Sequence, residues 1–393
     1  MLYISRVTDN GYYITDTEDG VEEVVDKEQL TEIIELGLKV QGISTYNGEI
    51  SIRVYNPESI LAGLRLQGVS DKFDVVLARG LIIIGDYKGV EQNVIIPKGV
   101  SRLDNVCFDG CSTLESVFIP TSVTSLGSNC FQSCTKLQSI DLPNSVTIIE
   151  DYCFFGCESL KSVRLPSFLK SIGMQCFQYC SIESINIPSS VDILPMGCFY
   201  YCKHLRNVSL PDSIKRIEQV CFYGCKSLVE IKIPESVNCI ESRVFGMCKA
   251  LKHIDIPSSV EEIGSCCFMC CSRLKTVRMS CRVKEFKSSL FLKCKQLRYV
   301  EIPDSVEYLG LDCFNGCENL KSIDIPSSVR GIDKSCFMNC KMLNKIEIPK
   351  SVVEIGNSCF EGCDSLRYIK LPHWFKDSIN RFGIPSDCEV VYY

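Results

Sequence analysis

Twenty-seven cysteines are the residues of this chain best equipped for chemistry, because thiolates serve as nucleophiles, metal ligands and redox centres. Their spacing argues against all three. Most recur as C-x-x-x-C pairs, such as Cys130 with Cys134, one residue longer than the C-x-x-C of zinc ribbons and thioredoxin-like sites. Equivalent cysteines of successive pairs would place their Cα atoms about 5 Å apart, within disulfide range, but with side chains parallel and not facing. The favoured role is that of a small buried hydrophobe, with disulfides and metal binding as the competing readings. Five cysteines fall outside the pattern, Cys239, Cys266, Cys270, Cys281 and Cys388, and the sequence leaves open whether these form disulfides or bind metal. The three histidines, His204, His253 and His373, stand in no zinc-protease, lipase-elbow or phosphate-loop context. No catalytic residue, metal site or cofactor is expected, so the chain reads as non-enzymatic.

The elements that carry these cysteines must come from a sizeable core. With 393 residues, 46% hydrophobic and 23% charged, the chain is too apolar to be mostly disordered. No run approaches the roughly 20 apolar residues of a membrane helix, so no membrane insertion is expected. The formal net charge of −6 is concentrated at the N-terminal end. The remainder is nearly neutral, which gives no reason to expect nucleic-acid binding. The first residues alternate like a strand, without the pattern of a secretory signal, and imply a cytoplasmic location. The alternative is the cell surface, or secretion by an unconventional route.

Internal periodicity settles the architecture. Prolines fall at 97, 120, 143, 166, 188, 211, 234, 257, 303, 326, 349 and 372, 23 residues apart except for one 22-residue step and one gap where Ser280 takes the expected place. Twelve units follow P-x-S-V-x-x-I-x-x-x-C-F-x-x-C-x-x-L-x-x-I-x-I. One such unit cannot bury an apolar face alone, so neighbours must stack and shared positions become internal ladders. Phenylalanine holds one place in all twelve: Phe108, Phe131, Phe154, Phe177, Phe199, Phe222, Phe245, Phe268, Phe291, Phe314, Phe337 and Phe360. The L-x-x-I-x-I segment alternates as a strand that the following Pro stops, which gives a parallel sheet along one face. The C-F-x-x-C segment reads as a short helical turn on the other.

The unit closely resembles the BspA-type leucine-rich repeat, I-P-x-S-V-x-x-I-G-x-x-A-F-x-x-C-x-x-L, over about residues 80 to 372. Here Cys replaces the usual Ala before Phe in ten of the twelve units, Val244 and Leu290 being the exceptions. The resemblance implies a protein-interaction solenoid of the kind found on microbial cell surfaces and in adhesion, and no chemistry. The expected organisation is a small acidic α/β domain over 1–79, a solenoid over 80–371 that begins with a half repeat, and a cap over 372–393. Within 1–79, helices are expected at 27–36 and after Asn56-Pro57.

Outward strand side chains escape the core constraint and are free to serve a partner. Glu301, Asp324 and Glu347 fall on neighbouring strands with like charge, flanked by Tyr299 and Tyr368 and by Arg298, Lys321 and Arg367. This composition suits a protein-binding patch; the competing reading is a solvated face balanced by its own basic row. The function expected is therefore a non-enzymatic solenoid presenting this face to a protein partner, with a cell-surface adhesin and a thiol-rich metal or redox protein as alternatives. Oligomeric state is open.

Overall fold

The computed structural model describes residues 2–8, 11–15, 23–25, 40–46, 49–54, 72–78 and 81–393, with side chains at 72, 73 and 84–393. The repeated units form a parallel solenoid whose neighbours are joined through three separate ladders. The first is the expected one, built from strands such as Ser139–Asp141 and Ser162–Arg164, paired one unit apart as Ile140 with Val163. Alternation sends the middle residue inward and its neighbours out to solvent.

A second ladder runs through the V-x-x-I segment. Two-residue strands such as Ser125–Leu126 and Ile148–Ile149 pair in the same parallel sense. The residue after the inward Ile or Leu obeys a steric rule. In several units it is Gly because the chains approach closely: a Cβ on Gly264 would lie 2.2 Å from the Ser242 nitrogen. Where Glu stands instead, its carboxylate accepts a backbone N–H one unit back, as Glu218 does from Met196 at 3.0 Å and Glu241 from Gln219 at 3.1 Å. This ladder breaks twice. The first break follows Ser171–Ile172, in the unit of the 22-residue step, and ends at the next unit, whose Pro195 has no N–H to donate. The second lies between Glu262–Ile263 and Glu285–Phe286. There Ser280 replaces Pro, Arg282 replaces the Ser whose hydroxyl elsewhere binds the preceding Val carbonyl, and Phe286 fills a place that holds Ile or Leu in every other unit.

The segments expected as helical turns are pairs of tight turns closed over three residues, as Asp109 N–H to Val106 C=O at 3.0 Å and Cys111 N–H to Phe108 C=O at 3.1 Å. Alternate N–H groups then donate to the next unit, Phe108 to Cys130 and Gly110 to Gln132, which makes the turns a third ladder. Every unit holds two residues here at φ between 51° and 75°. Gly occupies the second of these places in five units, as at 110 and 156, and the others hold larger residues in a conformation that disfavours them.

The core is the stack of twelve Phe rings, all without solvent exposure. Successive centroids lie 5.0–5.8 Å apart with interplanar angles of 1–17°. Both ends are covered. Strands Asp74–Ala78 and Leu81–Gly85 form an antiparallel hairpin that joins the second ladder, while Phe73 and Tyr87 pack on Phe108. At the other end Arg381 and Phe382 carbonyls accept the Ser358 and Phe360 N–H groups, and Glu389–Tyr392 adds a strand to Tyr368–Leu371. The segment after 372 is thus a degenerate further unit, with the 3-10 helix His373–Arg381 burying Phe375. Before the array, five strands form an antiparallel sheet in the order Glu23–Val25, Gly11–Thr15, Leu2–Thr8, Glu49–Val54, Val40–Tyr46. The expected helices at 27–36 and after Asn56-Pro57 lie outside the described residues.

Each central ring stacks on two others, so Phe222→Ala should cost about 3–5 kcal/mol of unfolding free energy. The check is chemical denaturation; a loss under about 1 kcal/mol would contradict a continuous core.

Candidate partner-binding face

The cysteines are the first candidates to test, because their chemistry depends on reaching solvent. All 27 are free, and all but Cys111, Cys266, Cys270 and Cys388 are buried. Eleven of the second cysteines in the pairs do more than fill space: their Sγ donates to the carbonyl of the Phe one unit back, at 3.0–3.3 Å. That carbonyl also accepts a backbone N–H from its own turn, so the thiol supplies its second bond. Burial pushes the Cys267 thiol up to about 12, and it drives Cys225 and Cys271 well above the ordinary thiol range. These groups stay protonated and unreactive. Among the described residues, no group of three or more His, Cys, Asp or Glu could hold a metal ion. Cys239 departs from the rest, since it stands in the outward row of the second ladder with its Sγ 3.8 Å from Glu262.

The structure divides the eight residues expected on the strand face into two groups. Three are engaged within the chain. The Lys345 ammonium lies 2.8 Å from Glu347, which holds the carboxyl below and the amine above their usual ranges. The same ammonium lies over the Tyr368 ring at 5.3 Å, and Arg367 meets Asp387 at 3.4 Å. Glu347 also stands opposite Lys370, whose ammonium covers Tyr393. The remaining five, Arg298, Tyr299, Glu301, Lys321 and Asp324, are exposed. Tyr299 shows 52% of its surface to solvent, and no ion pair engages Glu301 or Asp324 among the described residues. These five sit at one of the first ladder's interruptions, between the sheet ending at Tyr299–Val300 and the one resuming at Lys345–Glu347.

The sequence reading did not anticipate the groove beside the second break of the second ladder. It has a volume of about 780 Å³ and is lined by residues including Arg216, Cys239, Glu262, Glu285, Lys287 and Tyr308. Ion pairs of Lys287 with Glu262 at 2.6 Å and Lys284 with Glu307 at 3.4 Å cross this face. The signal for it is in the sequence, where Ser280, Arg282 and Phe286 depart from the repeat together. Two of the lining carboxylates, Glu262 and Glu307, are thus tied to lysines, and burial together with the Glu262 carboxylate pushes the Cys239 thiol above its ordinary range, away from the thiolate form.

Comparison with known proteins places the fold. The profile of the BspA type leucine-rich repeat region matches residues 87–206, 192–321 and 285–383. No curated protein matches. Among solved structures, a leucine-rich repeat protein from Bacteroides ovatus is 27% identical with a TM-score of 0.58, over 82% of this chain and 98% of its own. A leucine-rich cell surface protein from Faecalibacterium prausnitzii is 28% identical with a TM-score of 0.54, over 76% of this chain and 92% of its own. A leucine-rich repeat protein from Eubacterium ventriosum is 25% identical with a TM-score of 0.53, over 80% and 98%. Among the described residues, no helix is long and apolar enough to cross a membrane.

Two measurements check the thiol assignment. In native protein, only the half-buried Cys111, Cys266, Cys270 and Cys388 should react with a thiol reagent ahead of the rest, and unfolding without reductant should release all 27; a shortfall would reveal disulfides. A thiol at about 12 when folded and near 9 when unfolded favours folding fully below pH 9 and loses that contribution as pH rises toward 12. Stability should therefore fall steeply above pH 9, and Cys267→Ala should flatten the fall by about 1.4 kcal/mol per pH unit. An unchanged slope in urea titrations would refute the burial argument.

Proposed function

This chain belongs to the BspA-type leucine-rich repeat family, and from that membership we propose that it is a non-enzymatic binding solenoid whose first-ladder face receives a protein partner. The observation that carries this reading is the state of Glu301 and Asp324, two exposed carboxylates beside exposed Tyr299 that no ion pair engages among the described residues. The fold supplies lysines to Glu347 one strand further on, so neutralisation of such a row is within its means. Two like charges left open on neighbouring units cost stability locally unless a partner answers them. Tyrosine at the centre of an interface contributes large area at small entropic cost. The partner this patch suits carries Lys or Arg spaced to meet both carboxylates and an apolar group over Tyr299.

A second reading concerns where binding takes place. The Faecalibacterium prausnitzii relative is described as a cell surface protein, and this supports display of the solenoid at a surface as an adhesin or host-contact protein over a cytoplasmic role. The thiol-rich redox alternative finds no support in thiols that are buried and hydrogen-bonded to Phe carbonyls.

The test is affinity capture from the source cells with the full chain, Asp324→Lys and Tyr299→Ala as parallel baits. Reversal of Asp324 should release the partner, and Tyr299→Ala should weaken a captured complex by about 2 kcal/mol, roughly 30-fold. Identical capture by all three baits would exclude this face.

A further inference from the structure

A different face of the solenoid, the turn ladder, departs from the even composition of the array. The turn segments of the fifth to ninth units, 196–205, 219–228, 242–251, 265–274 and 288–297, contain no Asp or Glu. They carry Lys203, Lys226, Arg243, Lys249, Arg273 and Lys293, five of them exposed and Lys226 half-buried, together with Lys295. The fourth unit's segment, 174–182, is also free of acids but carries no Lys or Arg, and the segments beyond hold acids such as Asp151, Glu158, Asp312 and Glu318. The charge is only lightly neutralised. Lys295 pairs with Glu318 at the border at 3.1 Å. Glu218 and Glu241, which stand just before two of these segments, accept the Met196 and Gln219 N–H groups, and Glu241 also pairs with Arg216.

Tyrosine and methionine occupy the same stretch. Tyr179, Tyr200, Tyr201 and Tyr223 form one cluster with ring centroids 4.8–5.9 Å apart. The Tyr201 hydroxyl lies 3.8 Å from the Met247 sulfur, and Lys226 stands over the Tyr201 ring at 5.9 Å. Tyr179 is 41% exposed. Backbone conformation gives an independent mark. Tyr179, Tyr201 and Met247 sit at φ of 64°, 56° and 57°, in the place that Gly fills in five other units. A bulky residue in the left-handed region is strained, and the fold alone would prefer Gly. Tyr, Met and Arg with depleted acids is the composition of an interface core.

We infer that the turn face running from Tyr179 of the fourth unit through the ninth unit is a second docking surface, for an acidic protein segment that also carries apolar side chains. The inference rests on the binding-solenoid reading but uses a surface separate from Tyr299, Glu301 and Asp324. Protein fits better than nucleic acid because Tyr200 and Tyr223 stack on each other, with planes 11° apart, and offer edges in place of free faces for bases. Basic groups on exposed stems steer and register an acidic chain, while the tyrosine edges and Met247 give it an apolar floor.

The test uses the full chain and a short fluorescein-labelled peptide repeating Glu-Glu-Leu, read by fluorescence anisotropy at low salt. It should bind, with a Lys-Lys-Leu peptide as the negative control. The double variant Arg243→Glu/Lys249→Glu should weaken binding roughly tenfold. Tyr179→Gly should also weaken it while leaving the urea midpoint no lower than that of the parent, because Gly relieves the left-handed strain. Asp324→Lys should leave peptide binding unchanged, which separates this surface from the first-ladder face. Absence of binding, or binding indifferent to the double variant, would overturn the proposal. Equal affinity for a DNA duplex would replace it with a general polyanion site. Self-association by light scattering that the double variant abolishes would replace the acidic partner with a second copy of this chain.

Discussion

Every inward residue of this solenoid must be complementary to its own equivalent one unit away. Translation, unlike a two-fold, brings like against like, and this single constraint selects the side chains. Phenylalanine satisfies it because rings displaced along the axis stack at 5.0–5.8 Å without conflict. A thiol satisfies it because it is small, apolar and still able to donate: in eleven of the pairs the second Sγ bonds backward to a Phe carbonyl. A buried charge could never satisfy it, since its neighbour would be an identical charge. The outward rows face the same constraint in weaker form, and they meet it by alternating sign or by pairing with a residue two positions away, as Lys345 does with Glu347.

The constraint also explains what the sequence disclosed. Inward Phe, Cys, Leu and Ile positions recur at a fixed spacing, so the solenoid, its first sheet and its core were legible from periodicity. The second ladder was not, because strands of two residues such as Ser171–Ile172 carry no alternation to read. The left-handed turn positions were hidden for a related reason: Gly marks the second of them in some units, but Tyr179, Lys293 and Asn339 hold the same conformation elsewhere. The hydrogen bond from thiol to Phe carbonyl was invisible because it joins atoms one unit apart that no local motif connects.

Legibility of the candidate face was partial. The acidic strip at Glu301, Asp324 and Glu347 follows directly from the repeat register. What that register could not show is that Arg367 would find Asp387, since Asp387 lies in the terminal segment where the repeat is lost. Tyr368 and Glu347 likewise share Lys345, whose long stem bridges positions that a row-by-row reading treats separately. Surface chemistry depends on side-chain reach, and the period alone does not encode reach.

The two interruptions of the second ladder give the array a mechanical character that uniform repetition would lack. At both junctions the Phe stack and the turn ladder continue, with Phe177 donating to Cys198 and Phe268 to Leu290, while the opposite edge is released. A rod held along one edge and cut along another bends about the intact edge, as a hinge does. By that rule the places where the second ladder lets go, at Pro195 and at Phe286, are where neighbouring units share no strand pairing along that edge.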